Sequence, residues 1–186
     1  MVFLSGVINH KGSLGPRVWP RNSLPPGRVM GEVDLSPRIH SVDEVRNLAG
    51  VHLGHSKYLR VTQEMISSFA GATGDHQWIH VDETRAASGP FGHTIAHGYL
   101  ILSLIPGLLN EVLVVDEPGT RINYGLNRVR FISPVLEGRE VRLGAVVASV
   151  EPVETAWQIV LDVTVELRDA ARPACVAQLV YRWYPA

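Results

Sequence analysis

Residues 97–112, HGYLILSLIPGLLNEV, decide how the rest of the chain is read. Leu100, Ile101, Leu104, Ile105, Leu108, Leu109 and Val112 recur at helical spacing and cover more than half of a helix circumference, so the helix they form has to be enclosed on most sides. Pro106 has no N–H to give and its ring clashes with the preceding turn, so the helix is expected to kink or divide there. After Pro118-Gly119 the apolar period drops to two and stays there. RINYGLNRVRF (121–131), REVRLGAVVASVEPV (139–153), WQIVLDVTVELRD (157–169) and ACVAQLVYRWY (174–184) read as long strands. The short links SPVLEG, EPVET and DAARPA imply antiparallel neighbours. A buried helix followed by such strands indicates an α+β domain in which a curved antiparallel sheet wraps a long buried helix.

Ahead of the helix, Ser41 with Glu44 has the spacing of a capping box for a short helix that ends at Gly50, and residues 52–61 alternate as a half-buried strand does. Thr62 can cap a second helix carrying Met65, Ile66, Phe69 and Ala70 on one face, with Gly74 placed to stop it. Asp75 therefore opens a loop at a helix C-terminus. Residues 1–37 hold Pro16, Pro20, Pro25, Pro26 and Pro37 without a sustained period, which predicts a poorly ordered tail, with Met30 an alternative start, ahead of a domain spanning 38–186.

With 186 residues and 46% hydrophobic content the chain can bury one core. Seventeen basic against eighteen acidic residues create no field that would draw nucleic acid or an anionic membrane. The single cysteine, Cys175, excludes an internal disulfide framework and a cysteine-rich zinc site, and a reducing cytoplasm fits it. The longest apolar run, residues 99–109, is interrupted by Ser103, Pro106 and Gly107 and falls short of the roughly 20 residues of a membrane span. The N-terminus lacks the basic region and cleavage site of a secretory signal.

Chemistry is expected between the two helices, in FAGATGDHQWIHVDETRAASGPFGHTIAHG (69–98). Asp75 and His80 lie five residues apart around a turn-like DHQWI, so one ordered bend can aim a carboxylate and an imidazole at a single small molecule. Gly98 lets a ligand oxygen approach the N–H groups at the start of the apolar helix. A different reading takes the i, i+4 pairs His76/His80 and His93/His97 as metal ligands on two helices, against which the glycines and the turn-like DHQWI speak. A lone aspartate after a helix stop is as readily a local backbone acceptor, and a lone histidine as readily a satisfied core residue.

ATGDHQWIHVD followed by GPFGHTIAHGYL resembles the signature of the MaoC-like, (R)-specific enoyl-CoA hydratases, the hydratase 2 family. Gly74, Asp75, Ile79 and His80 match its first half, and Ile95, His97 and Gly98 its second. INYGLNRVRF, with Asn123, Tyr124 and Asn127, is similar to the nodulation-protein-N-like branch. The resemblance implies a hot-dog fold from about residue 40 onward and a homodimer joined edge to edge. It implies (R)-specific hydration of trans-2-enoyl-CoA, or of an enoyl-carrier-protein, with no cofactor and no metal. Asp75 and His80 would move the protons, Gly98 N–H would receive the enolate oxygen, and His97 would hold the turn. Trp78 and Asn123 are candidates for substrate contact. Gln77 and Trp78 stand where the family usually has Asn and Pro, which bears on substrate range. The same fold also hosts acyl-thioester hydrolases, and a non-catalytic acyl-CoA or acyl-carrier-protein binding module is the remaining alternative.

Overall fold

The structure, a computed structural model, describes residues 37–117 and 119–185. The expected tail at 1–37 and the start at Met30 therefore fall outside the described residues, apart from Pro37, whose carbonyl accepts the N–H of Val114. In chain order the elements are β1 (Arg38–Ser41), a 3₁₀ helix (Val42–Leu48), β2 (His52–His55), β3 (Leu59–Arg60), α1 (Gln63–Thr73), α2 (Trp78–Val81), α3 (Glu83–Ala87), α4 (Gly98–Ser103), α5 (Ile105–Val112), β4 (Val114–Glu117), β5 (Thr120–Phe131), β6 (Glu140–Val153), β7 (Ala156–Leu167) and β8 (Cys175–Tyr184).

The main sheet is antiparallel, in the order β2-β6-β7-β8-β5, with β3 continuing beside β6, and β1 pairs with β4 in a separate parallel ribbon. Alternation along β7 sends Ile159, Leu161, Val163 and Val165 inward, and β6 adds Val141, Leu143, Ala145 and Val147. These side chains close on Ile101, Ile105, Leu108, Leu109 and Val112 of the central helix pair, which gives the hot-dog architecture. The helix divides at Leu104, with Pro106 in the first turn of the second piece, where its missing N–H costs nothing. Enclosure is incomplete: Tyr99, Ser103, Gly107 and Asn110 form an exposed strip along one side.

Several local expectations change in three dimensions. The link SPVLEG does not make a hairpin, because β5 crosses to the far edge and pairs with β8 instead of β6. Nothing in a link's length distinguishes a hairpin from a crossing to the other edge. The strand expected over 52–61 is two strands, since the Ser56 hydroxyl, rather than a carbonyl, accepts the Leu143 N–H and bends the ladder. Ser41 makes no side-chain cap; Glu44 reaches back to the N–H of His40 instead, and the turn it begins is 3₁₀. The second helix starts and stops as its sequence predicts. Thr62 accepts from the Met65 N–H, and Gly74 takes the left-handed conformation, φ 75°, while bonding Ala70. No helix among the described residues is long and apolar enough to cross a membrane.

Candidate active site

The site lies where the loop after α1 meets the start of α4. Gly74 ends α1 and turns the chain sharply, so that Asp75, His76 and Gln77 run across the surface before Trp78 begins the single-turn helix α2. That turn carries His80 inward to 7% exposure, while the Asp75 side chain stays 58% exposed. From the other side comes residues 94–97, an extended segment pinned by Ile95 N–H to Ile79 O, Ala96 N–H to Val135 O and Glu137 N–H to Thr94 O. It ends on His97, buried at 3%. One ligating atom from each of Asp75, His80 and His97 lies within 4.8 Å of the others.

Hydrogen bonding assigns both imidazole tautomers. His80 Nδ1 is 2.7 Å from Ile95 O, and a carbonyl only accepts, so Nδ1 carries the proton and Nε2 of the neutral ring keeps its lone pair. His97 Nε2 is 2.9 Å from the main-chain O of Asp75 and donates by the same logic, which leaves its Nδ1 buried without a partner. The two rings stack at 3.7 Å, inclined by 25°. Burial is the main cause that lowers the pKa of His80, and His97 lowers it further, while the bond to Ile95 and the charge of Asp75 raise it. The balance favours an unprotonated, proton-accepting ring. The Asp75 carboxylate has only a long local contact to the Gln77 N–H, 3.4 Å, and stands 4.0 Å from His97 Nε2, so it faces solvent ready to take a donor.

Gly98 opens α4 beside this pair, and a Cβ there would stand 2.8 Å from the Phe131 ring of β5, which would have to shift to admit any larger residue. The expected substrate contacts diverge. The Trp78 ring carries the Arg85 guanidinium at 4.4 Å and rests on Gly89, where a Cβ would come within 3.0 Å of it. Asn123 is separate from the Asp75–His80 pair: it lies on β5 in a largely apolar groove of about 280 Å³ with Leu102, Ile105, Pro106, Leu126 and Tyr181. Asn127 bonds Gln178 on the neighbouring strand. Sequence reasoning missed Gln63 and Thr94. The Gln63 amide donates to His80 O at 2.8 Å and accepts from the Thr94 hydroxyl, which ties α1, α2 and the 94–97 segment together. No periodicity couples residue 63 to residue 80, so no signal marked it.

The four-histidine metal arrangement does not form, because His76 and His93 are exposed in loops and neither pair shares a helix. Asp75, His80 and His97 do come close enough to share a cation. Their stacking opposes it: the lone pairs of two nearly parallel rings lie in separate planes, so an ion in the plane of one ring is out of the plane of the other.

Residues 44–169 match the family described as MaoC like domain. A 3-hydroxyacyl-thioester dehydratase Z of Mycobacterium tuberculosis is 46% identical over 144 residues, covering 77% of this chain and 95% of that protein. Nodulation protein N of Rhizobium leguminosarum bv. viciae is 43% identical over 144 residues, covering 75% and 89%. Among solved structures, the (R)-hydratase of A. caviae involved in PHA biosynthesis superposes with a TM-score of 0.56 at 27% identity, covering 69% of this chain and 93% of that one.

Proposed function

The chain belongs to the MaoC-like domain family, and from that membership we propose that it interconverts a trans-2-enoyl thioester and the (R)-3-hydroxyacyl thioester, with Asp75 and His80 as the reacting pair. It is a hydro-lyase, in common with the mycobacterial dehydratase and the A. caviae hydratase. One observation carries the assignment of the pair. The His80 Nδ1–H is consumed by Ile95 O, which leaves the Nε2 lone pair as an acceptor beside an uncommitted carboxylate.

In the hydration direction a water sits between the Asp75 carboxylate and His80 Nε2. The imidazole takes a proton as the water oxygen bonds to the β-carbon, and the π pair of the C=C bond passes to the thioester oxygen. The Gly98 N–H, at the start of α4, receives that enolate oxygen. Collapse of the enolate draws a proton onto the α-carbon from the imidazolium, so atoms and charge balance without a cofactor. The Asp75 carboxylate orients the water and steadies the transient imidazolium. Each such proton transfer contributes roughly 10²- to 10⁴-fold in rate.

The protein would act in the cytoplasm as a homodimer on an enoyl-CoA or enoyl-carrier-protein. Support for the dimer comes from β5, an edge strand whose Ile122, Tyr124, Leu126 and Phe131 are all exposed, next to the open strip of the helix. The decisive experiment supplies trans-2-enoyl-CoA substrates of graded chain length and resolves the product on a chiral column. Asp75→Asn and His80→Gln should each abolish formation of the (R)-3-hydroxyacyl product while the circular dichroism spectrum is retained. Substantial turnover by either variant, an (S) product, or release of free CoA thiol in place of hydration overturns the proposal.

A further inference from the structure

We infer that His97 is a positioning residue that holds Asp75 and His80 in one arrangement through two separate contacts, a hydrogen bond to the first and a ring face against the second. This rests on the hydration reading above. His97 occupies the N-cap position of α4, where a side chain would ordinarily bond the N–H groups of the first turn, yet it makes no such cap. It turns back across the site to donate from Nε2 to the Asp75 carbonyl at 2.9 Å. Its ring stacks on His80 at 3.7 Å and also meets the tilted ring of Phe69 at 5.1 Å. An N-cap that leaves its own helix start unbonded, and keeps a buried Nδ1 without a partner, gives up local stability. Placement of the loop and the base is what it provides instead.

The two contacts have distinguishable consequences. The hydrogen bond fixes the main chain of Asp75 and so the direction of its carboxylate. The ring face keeps water from one side of His80, whose pKa is lowered chiefly by burial. The charged and titratable groups that face His80 are Asp75 and His97; Phe69, Gln63 and Thr94 around them do not titrate. Replacing His97 by any neutral residue removes a charge that lowers the His80 pKa, and removing the ring also opens His80 to water, so losing the ring moves that pKa upward further than losing the donor alone.

His97→Gln keeps an amide N–H for the Asp75 carbonyl but loses the ring face, and His97→Phe keeps a ring face but loses the donor. For the homogeneous folded protein, kcat, KM and the pH dependence of kcat/KM for enoyl-CoA hydration are measured for both, alongside ¹⁵N NMR titration of the His80 ring without substrate. His97→Gln should shift the acidic limb of kcat/KM, and the NMR midpoint of His80, to higher pH. His97→Phe should move that midpoint upward less than His97→Gln does, and lower kcat by roughly 10- to 10²-fold with KM little changed. Variants with kcat within twofold of wild type and an unmoved His80 midpoint refute the inference, as does an equal loss in both with no pH shift, which is the mark of a purely structural residue. The NMR arm needs no turnover, so a shifted midpoint in a protein without hydratase activity would overturn the proposed function and leave the positioning contacts standing.

Discussion

Gly98→Ala tests packing and chemistry at one atom. The backbone there is helical and admits any residue, so the only objection to alanine is space. Its Cβ would stand 2.8 to 2.9 Å from three atoms of the Phe131 ring. Carbon contacts settle at about 3.5–4.0 Å, so ring and helix start must part by about 0.7 Å or more. Overpacking of this kind costs about 1–3 kcal/mol. Phe131 is 44% exposed at the end of an edge strand, which lets the ring swing outward and puts the cost near the lower figure. At about 2–4 °C of melting temperature per kcal/mol, a drop of a few degrees is expected. The catalytic effect should be larger than the stability effect. An oxyanion donor works at about 2.7–3.1 Å, and a retreat of the Gly98 N–H by a similar fraction of an ångström forfeits much of a contribution whose complete loss costs roughly 10²- to 10³-fold in kcat. Calorimetry and steady-state hydration kinetics read the two effects independently. An unchanged melting temperature would refute the packing argument, and a lowered one with unchanged kcat would refute the role of the Gly98 N–H.

Burial lowers the pKa of both His55 and His80 from 6.5, with Arg142 adding to the effect at His55. Between those lowered values and 6.5 the unfolded chain binds more protons than the folded one, so stability should fall as pH drops from about 7 toward 5 and level off below the folded values; a melting temperature that rises on acidification through this window would contradict it. Charging the exposed edge with Ile122→Glu and Leu126→Glu should convert a dimer to a monomer by light scattering, and a monomeric wild type would remove the proposed β5 interface.

Much of the protein is determined by sequence alone, because the signals are local. The α5 helix shows itself through the helical recurrence of Ile105, Leu108, Leu109 and Val112, the long strands through their period of two, and the division of the helix through Pro106. Gly74 had to end α1, since a glycine following a helical face readily takes the left-handed turn found there. The Asp75–His80 spacing and the HG at 97–98 are equally local, which is why the residues that the fold brings together as a candidate site are legible in the sequence.

What tertiary structure decided is which distant groups meet. β5 left its sequence neighbour β6 for β8 because edge choice depends on the whole sheet, and no link records it. The tautomer of His80 follows from a carbonyl fifteen positions away, and the stacking of His80 on His97 follows from how residues 94–97 are clamped between α2 and the β5–β6 connection. Gln63 joined the site only through folding, by reaching the carbonyl of His80. Residue type sets which donors and acceptors a chain carries. Their proton positions and strength as bases depend on burial and on partners, which exist only once the chain has closed around them.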